Sequence, residues 1–257
     1  MNTTKGKSSI TNHPVVSREQ WLTERKRLLA REKELTHLRD QVARERRALP
    51  WVRIDKDYIF DTPQGARTLA DLFESRRQLM VQHFMLGPGW EEGCPSCSFM
   101  ADHTDGMNVH LAHRDVTFVA ISRAPLSEIE RFRRRMGWKF KWVSSFGGDF
   151  NHDFHVSFTP QEPKGQVYYN YGMQPFECDE LPGISVFYKD DTGEVFHTYS
   201  TYRRGVEAMM GSYNLLDLTP KGRDERDGPM AWVRHHDRYA PATAVKATPA
   251  GGTSCHT

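Results

Sequence analysis

The sequence is poor in three features, each of which would point to a particular class of protein. Only four of its 257 residues are cysteine, too few and too unevenly placed for a secreted scaffold held by disulfides. No apolar run approaches the ~20 residues of a membrane-spanning helix, and the polar N-terminus lacks the apolar stretch of a signal peptide. The 35 basic and 33 acidic side chains leave a formal net charge of +2, which favours neither nucleic acid nor an acidic membrane as partner. We therefore expect a cytoplasmic protein that binds neither.

Two of the four cysteines form the motif around which the rest of the sequence is organised. Cys94-Pro95-Ser96-Cys97 follows an apolar run at residues 79–86 and a glycine-rich loop. Proline suits the first position of a helix because an N–H there would have no partner within the helix. Cys94 is then the N-cap, where the positive end of the helix dipole favours a thiolate. The spacing predicts a redox pair with a reactive Cys94.

The same pair could instead be half of a zinc site, or chemically inert. A structural zinc site needs two more ligands, and Cys178 and Cys255 are isolated and far downstream. His110 and His113 lie roughly a dozen residues along the predicted helix at ~1.5 Å each, too far from the sulfurs for one tetrahedral centre. Neither Cys178, which has acidic neighbours, nor Cys255, in the predicted tail, is expected to take part in catalysis.

The segment before the motif predicts a disordered leader at residues 1–16 and one long helix at 17–49. Ser17 and Gln20 have the form of a capping box, and no glycine or proline follows until Pro50. A narrow apolar stripe on this charged helix fits packing along its own domain or, alternatively, a homodimer through the helix. The stripe consists of Trp21, Leu22, Leu28, Leu29, Leu35, Leu38, Val42 and Leu49.

Residues 50–218 predict one α/β domain, followed by a C-terminal extension and disordered tail at 219–257. Strand, helix and strand around the motif imply a parallel pair. A long insertion at 144–181, rich in aromatic residues and histidine, is the candidate wall of a substrate cleft. The predicted elements are a hairpin at 56–65, a helix at 68–73, a strand at 78–86, the motif helix to about 113, a strand at 115–121, a helix from a capping box at Ser127 to Gly137, a strand at 138–143, a hairpin at 184–199 and a helix at 203–213.

This order of elements, with the cysteine pair at the first helix and a proline before the last hairpin, resembles the thioredoxin fold. The sequence resembles more closely the bacterial domain-of-unknown-function family eight-nine-nine, over roughly residues 17 to 240. That resemblance is carried by the segments Ala48–Arg53, Glu92–Phe99, Ser122–Leu126, Met136–Trp138, Phe196–Tyr202 and Leu218–Glu225.

The resemblance implies a thioredoxin-like central mixed sheet flanked by helices, and a dithiol-disulfide oxidoreductase. It implies that Cys94 and Cys97 are the redox pair, and that Pro182 is the proline that is cis and faces the disulfide. The motif departs from the Cys-Gly-Pro-Cys of thioredoxins. The buried carboxylate that thioredoxins carry on the preceding strand is also absent, with Gln82 and His83 in its place.

Several functions remain open from the sequence. In the leading hypothesis the Cys94 thiolate attacks a protein or small-molecule disulfide, Cys97 resolves the mixed disulfide, and a cellular thiol reductant resets the pair without a cofactor. Trp90, Pro95 and Pro182 would line the substrate groove, and His83 would accept a proton. The alternatives are a peroxidase of the same fold, a copper or zinc protein that adds a histidine near 152 or 155 to the cysteines, and a binding module with a redox-sensitive staple.

Overall fold

The computed structural model describes residues 13–159, 166–175 and 178–239. The predicted leader up to residue 12, and the predicted tail from residue 240 with Cys255, lie outside the described residues. The chain divides into two compact units. One comprises Met1–Pro50 and Leu216–Arg223, and the other comprises Trp51–Leu215 and Asp224–Thr257.

The first unit contains helix α1, Arg18–Arg47. Its capping box forms as predicted, because the Ser17 hydroxyl accepts from the Gln20 N–H at 3.2 Å and the Gln20 amide oxygen accepts from the Ser17 N–H at 3.1 Å. None of its thirty residues, all of which are described, is buried. The apolar stripe is exposed, with Leu28 and Leu38 each at 54%. A homodimer through this helix stays a prediction.

The second unit is built on an eight-stranded mixed sheet. The strands are β1 Val52–Arg53, β2 Ile59–Thr62, β3 Gly65–Thr68, β4 Gln78–His83, β5 Val116–Ser122, β6 Lys141–Ser144, β9 Gly183–Lys189 and β10 Val195–Tyr202, while β7 Gln166–Tyr169 and β8 Gly172–Pro175 pair separately. Their order is β1-β10-β9-β4-β5-β6-β2-β3. Strands β4, β5 and β6 are parallel, β9 pairs antiparallel with β4, and β10 pairs antiparallel with β9. The fold is therefore the predicted thioredoxin-like α/β arrangement.

Short helices connect these strands and follow the last of them. They are α2 Leu69–Leu72, α3 Pro95–Asp105, α4 Asn108–His113, α5 Leu126–Met136, α6 Phe150–Asp153 and α7 Gly211–Leu216, with 3-10 turns at Arg203–Met209 and His236–Arg238. Successive side chains of β4 point to opposite faces of the sheet. Leu79 and Val81 join one buried cluster with Phe150 and Phe187, while the residues after β4 join a second cluster with Cys94 and Cys97.

Three helices differ from their predicted form. The motif helix ends at Asp105 with Gly106 as its C-cap, and the Asp105 carboxylate accepts the N–H groups of Lys139 and Phe140, both at 2.8 Å. The capping box at Ser127 does not form. The N-cap of α5 is Pro125, and Glu130 pairs with Arg133 instead. The closing helix is divided into a 3-10 turn and α7.

The predicted cis bond at Pro182 is wrong, since every peptide bond of the described residues is trans. The backbone on both sides of this proline is fixed in an extended path into β9. The Leu181 N–H donates to the Val156 carbonyl at 2.7 Å, and the Tyr169 hydroxyl donates to the Pro182 carbonyl at 2.6 Å. Pro182 still immediately precedes the strand that pairs with β4.

Candidate functional site

The two cysteines of the motif lie at the start of α3. Cys94 is the N-cap and Pro95 the first helical residue, as the sequence predicts. The chain leaving β4 supports both, because the Cys94 N–H donates to the Met85 carbonyl at 3.0 Å and the Met85 N–H donates to the Cys97 sulfur at 3.5 Å. Both cysteines are free thiols. Cys94 is 7% exposed and Cys97 1%, so Cys94 is the one nearer to solvent.

The surroundings of Cys94 favour its thiolate. The largest contribution to its lowered pKa is a hydrogen bond from the Cys97 thiol, which outweighs the opposing effect of burial. The backbone amides of Ser96 and Cys97 and the Ser96 hydroxyl lower the pKa further. The first turn of α3 therefore favours the charged form of Cys94.

Cys97 has the opposite character. Burial raises the pKa of its thiol well above the ordinary value, and both its hydrogen bond to Cys94 and the negative charge of Cys94 raise it further. A smaller contribution in the same direction comes from the negative charge of Glu180. Of the two thiols, Cys94 is therefore the one that ionises first, and Cys97 the one that keeps its proton.

The loop before the motif is packed tightly, and this packing requires Gly93. A β-carbon at Gly93 would come within 2.6 Å of the Phe84 ring and 2.8 Å of the Phe132 ring. Trp90 is half-buried against the cluster that contains both cysteines, with its indole ring over Gly87. The predicted groove residue Trp90 thus lies in the same packed region as Cys94.

A segment near the end of the chain holds this loop. The His235 Nε2 atom lies 2.8 Å from the Gly93 carbonyl oxygen, and His235 is 3% exposed. Glu92 forms ion pairs with Arg135 at 2.6 Å and Arg238 at 2.7 Å. No sequence motif predicts these contacts. From the sequence, residues 233–238 belong only to a C-terminal extension.

Gln82 and His83 face opposite sides of β4. The Gln82 amide donates to the Cys97 carbonyl at 3.1 Å, and its own oxygen is buried without a hydrogen-bond partner. The His83 ring stacks at 5.6 Å and 5.7 Å from the rings of Phe150 and Phe154. The His83 ring therefore lies on the face of the sheet opposite to α3, whereas Gln82 lies on the same face as α3.

His83 instead begins a chain of polar side chains inside the aromatic core. Its Nε2 atom lies 2.7 Å from the Ser185 hydroxyl, which lies 2.7 Å from the Ser200 hydroxyl, which lies 2.7 Å from His197 Nε2. Burial lowers the pKa of His83 to about 3, with a smaller effect from His197. His83 is therefore neutral at physiological pH.

The aromatic insertion contributes to this end of the sheet. Tyr169 is buried, and its hydroxyl donates to the Pro182 carbonyl. Burial is the main reason for its raised pKa, and the charge of Cys97 adds to it. Tyr171 is 67% exposed on the turn between β7 and β8. The insertion thus reaches Pro182, and its role as a cleft wall stays a prediction.

A buried ion pair crosses the same end of the sheet. Arg123 follows β5, and its Nε atom donates to Glu180 at 2.6 Å. The Ser157 hydroxyl donates to the second carboxylate oxygen at 2.5 Å. Glu180 is 1% exposed, and burial raises its pKa despite both partners. No sequence motif predicts this pair, because its two residues are 57 positions apart.

The described residues hold no group of three or more His, Cys, Asp or Glu side chains placed to bind a metal ion. The copper or zinc alternative therefore lacks a ligand set there. In the same part of the chain, no helix is long and apolar enough to cross a membrane.

The sheet order and the cysteine pair at the first crossover helix define a thioredoxin-like protein. The family model described as "Bacterial protein of unknown function (DUF899)" matches residues 10–239. The chain belongs to this family, as its motifs indicated. No curated protein matches the sequence.

Several solved structures are similar in part. Peroxidoxin BcpB from Mycobacterium tuberculosis shares 14% identity over 64% of this chain and 96% of its own, with a TM-score of 0.41. A peroxiredoxin Q mutant from Xanthomonas campestris shares 10% over 61% and 90%, at 0.39. A putative protein disulfide isomerase from Bacteroides thetaiotaomicron shares 18% over 68% and 96%, at 0.36. Similarities at this level establish nothing about the activity of this chain.

Proposed function

We propose that the protein is a thiol-disulfide oxidoreductase in which Cys94 is the nucleophile and Cys97 the resolving thiol. The observation that carries the proposal is the placement of the pair: Cys94 is the N-cap of α3 and the cysteine nearer to solvent, while Cys97 is fully buried within the helix. The pKa shifts, lowered at Cys94 and raised at Cys97, agree with it. A thiolate attacks a disulfide and a thiol does not, so the pair is prepared for an ordered reaction.

The reaction has two steps. The Cys94 thiolate attacks one sulfur of a substrate disulfide, forming a mixed disulfide and releasing the other sulfur as a thiolate that takes a proton from solvent. Cys97 then loses its proton and attacks the Cys94 sulfur, forming the Cys94–Cys97 disulfide and releasing the second substrate thiolate. Two electrons pass from the cysteines to the substrate.

The substrate is a protein or small-molecule disulfide, and a cellular thiol returns the pair to the reduced form in the cytoplasm. Trp90 and Pro95 flank the sulfur of Cys94 along the chain and Pro182 precedes β9, so these residues are proposed to form the substrate groove.

Single serine variants test this order. Cys97→Ser should accumulate a stable mixed disulfide with a disulfide probe, because no second thiol resolves it. Cys94→Ser should trap nothing. Iodoacetamide at limiting dose and near-neutral pH should mark Cys94 of the reduced wild type first. Intact-protein and peptide mass spectrometry measure all three.

Two results would overturn the proposal. The first is initial labelling of Cys97, which would reverse the roles. The second is stoichiometric zinc or copper bound by the reduced protein with both thiols protected from labelling, which would make the pair a metal site. Consumption of hydrogen peroxide or an organic peroxide with no reaction towards disulfides would change the substrate class to peroxides.

A further inference from the structure

The ion pair between Arg123 and Glu180 lies at the point where the chain leaves β4 for the cysteine loop. The last residue of β4, His83, pairs with Ile121 on one side and with Gly183 on the other. Arg123 lies two residues beyond the first partner and Glu180 three residues before the second. Their contact therefore links the two neighbours of β4 across its C-terminal end.

The Cys97 sulfur lies at this same end. It accepts the N–H of Met85, which is two residues beyond His83. The neighbouring loop is tied to the Arg123 segment, because the Ala124 N–H donates to the Leu86 carbonyl at 2.9 Å. The strand register and these hydrogen bonds thus place the Glu180 carboxylate and the Cys97 thiol at the same C-terminal end of β4.

The backbone fixes the position of Glu180. Residues Ser157 and Glu180 form an antiparallel bridge, and the Phe158 N–H donates to the Asp179 carbonyl at 3.0 Å. Each carboxylate oxygen of Glu180 has a donor, Arg123 on one and Ser157 on the other. Such a site accommodates the carboxylate while leaving lone pairs for one further proton.

We propose that Glu180 is the group that exchanges a proton with Cys97 during the resolving step. The inference rests on the oxidoreductase function proposed above. The thiol proton of Cys97 passes to the Glu180 carboxylate, directly or through one water. The Cys97 thiolate then attacks the Cys94 sulfur of the mixed disulfide, and the departing substrate thiolate is protonated by Glu180 or by solvent.

The electrostatics of the pair agree with this role. Burial raises the pKa of Glu180 above the ordinary range of a carboxyl, which makes it a stronger base than an exposed glutamate. The negative charge of Glu180 makes a small contribution to the raised pKa of Cys97, as expected for two groups at the same end of β4.

A symmetrical chromogenic aryl disulfide separates the two steps in a stopped-flow experiment, because each step releases one coloured thiolate. Glu180→Gln should leave the first phase unchanged and slow the second about tenfold or more at neutral pH. Its second phase should rise with pH over a range in which that of the wild type is flat. Glu180→Asp should recover part of the wild-type pH profile. The matched control is Asp179→Asn, which removes one exposed negative charge next in sequence and should leave both phases unchanged.

The outcomes distinguish the two proposals. A wild type that releases no second thiolate, or a Cys94→Ser variant that reacts as fast as the wild type, overturns the oxidoreductase function and this role with it. Two normal wild-type phases with an unchanged second phase and pH profile in Glu180→Gln overturn the role of Glu180 alone.

A measurement on the wild type needs no variant to fold. The carboxyl NMR signal of isotope-labelled Glu180 should titrate at a higher pH in the reduced protein than in the Cys94–Cys97 disulfide form, which has no thiol proton to share. Equal titration in the two forms would contradict the proposal.

Discussion

The thiol of Cys97 is the strongest single influence on the acidity of Cys94. It donates a hydrogen bond to the Cys94 thiolate, and this contribution exceeds the opposing cost of burying a charge at a side chain that is 7% exposed. The resolving cysteine thus has a role before its own step. It helps to create the nucleophile that it later attacks.

Substituting Cys97 should change the pKa of Cys94, and the size of the change should depend on whether the new side chain can donate a hydrogen bond. Cys97→Ala removes the hydrogen bond and should raise the pKa of Cys94, whereas Cys97→Ser retains a hydroxyl donor and should raise it less. The pH dependence of thiolate ultraviolet absorbance measures both. Equal shifts in the two variants would mean that the donor has no such effect.

Stability should fall as the pH is lowered, because His83 is buried in its neutral form. Burial lowers its pKa from 6.5 to about 3, so below pH 6.5 the unfolded chain binds a proton at His83 that the folded protein does not. The free energy of unfolding should therefore decrease with falling pH from about 6.5 down to about 3, with a slope of up to ~1.4 kcal/mol per pH unit from this residue.

Urea unfolding between pH 7 and pH 4 tests this dependence. His83→Asn retains a polar group near Ser185 but does not titrate, so its slope should be smaller than that of the wild type even if its stability at pH 7 is lower. His197, whose pKa is also lowered by burial, should account for part of the remaining slope. An unchanged slope in His83→Asn would contradict the assignment.

Gly93→Ala should be destabilising, because its β-carbon has no room between the rings of Phe84 and Phe132. Overpacking of this kind costs about 1–3 kcal/mol. The shift of the loop should also slow alkylation of the adjacent Cys94. Gly106→Ala is the control, since Gly106 has φ −74° and no atom near its β-position. It should be neutral or stabilising by up to ~1 kcal/mol, and thermal unfolding distinguishes the two.

His235→Ala should loosen the motif loop. It leaves the Gly93 carbonyl without its partner in a buried place, at a cost of about 1–3 kcal/mol. The rate of iodoacetamide reaction at Cys94 should change as well, because Gly93 precedes it directly. His236→Ala removes an exposed ring that contacts Asp102 and should alter that rate much less. If both variants react like the wild type, the C-terminal segment does not support the site.

The local parts of the site could be predicted from the sequence. A cysteine that is followed directly by proline, after an apolar run and a glycine-rich loop, predicts a helix N-cap at the cysteine. Cys94 is the N-cap of α3 in the structure. The capping box at Ser17, the parallel pair β4 and β5 and the hairpin β9–β10 were predicted in the same way. The capping box and the hairpin depend on residues that are close in the chain, and the parallel pair follows from the strand–helix–strand order.

The remaining parts depend on contacts between distant residues. The Ser127 box has the right spacing, but Glu130 lies closer to Arg133, and α5 begins after Pro125. No local pattern connects Arg123 with Glu180, which are 57 residues apart. The expectation of a cis bond at Pro182 comes from the family resemblance and not from a local pattern, and the structure has the trans form there.

The hydrogen bond between His235 and Gly93 joins residues 142 positions apart. During synthesis, the chain from Trp51 onward can pair its strands before His235 has left the ribosome, since domains fold as their residues emerge. The loop that presents Cys94 acquires its last support only when nearly the whole described chain has been made. A ribosome-bound chain that ends before residue 235 would therefore carry a folded sheet with a less restrained cysteine pair.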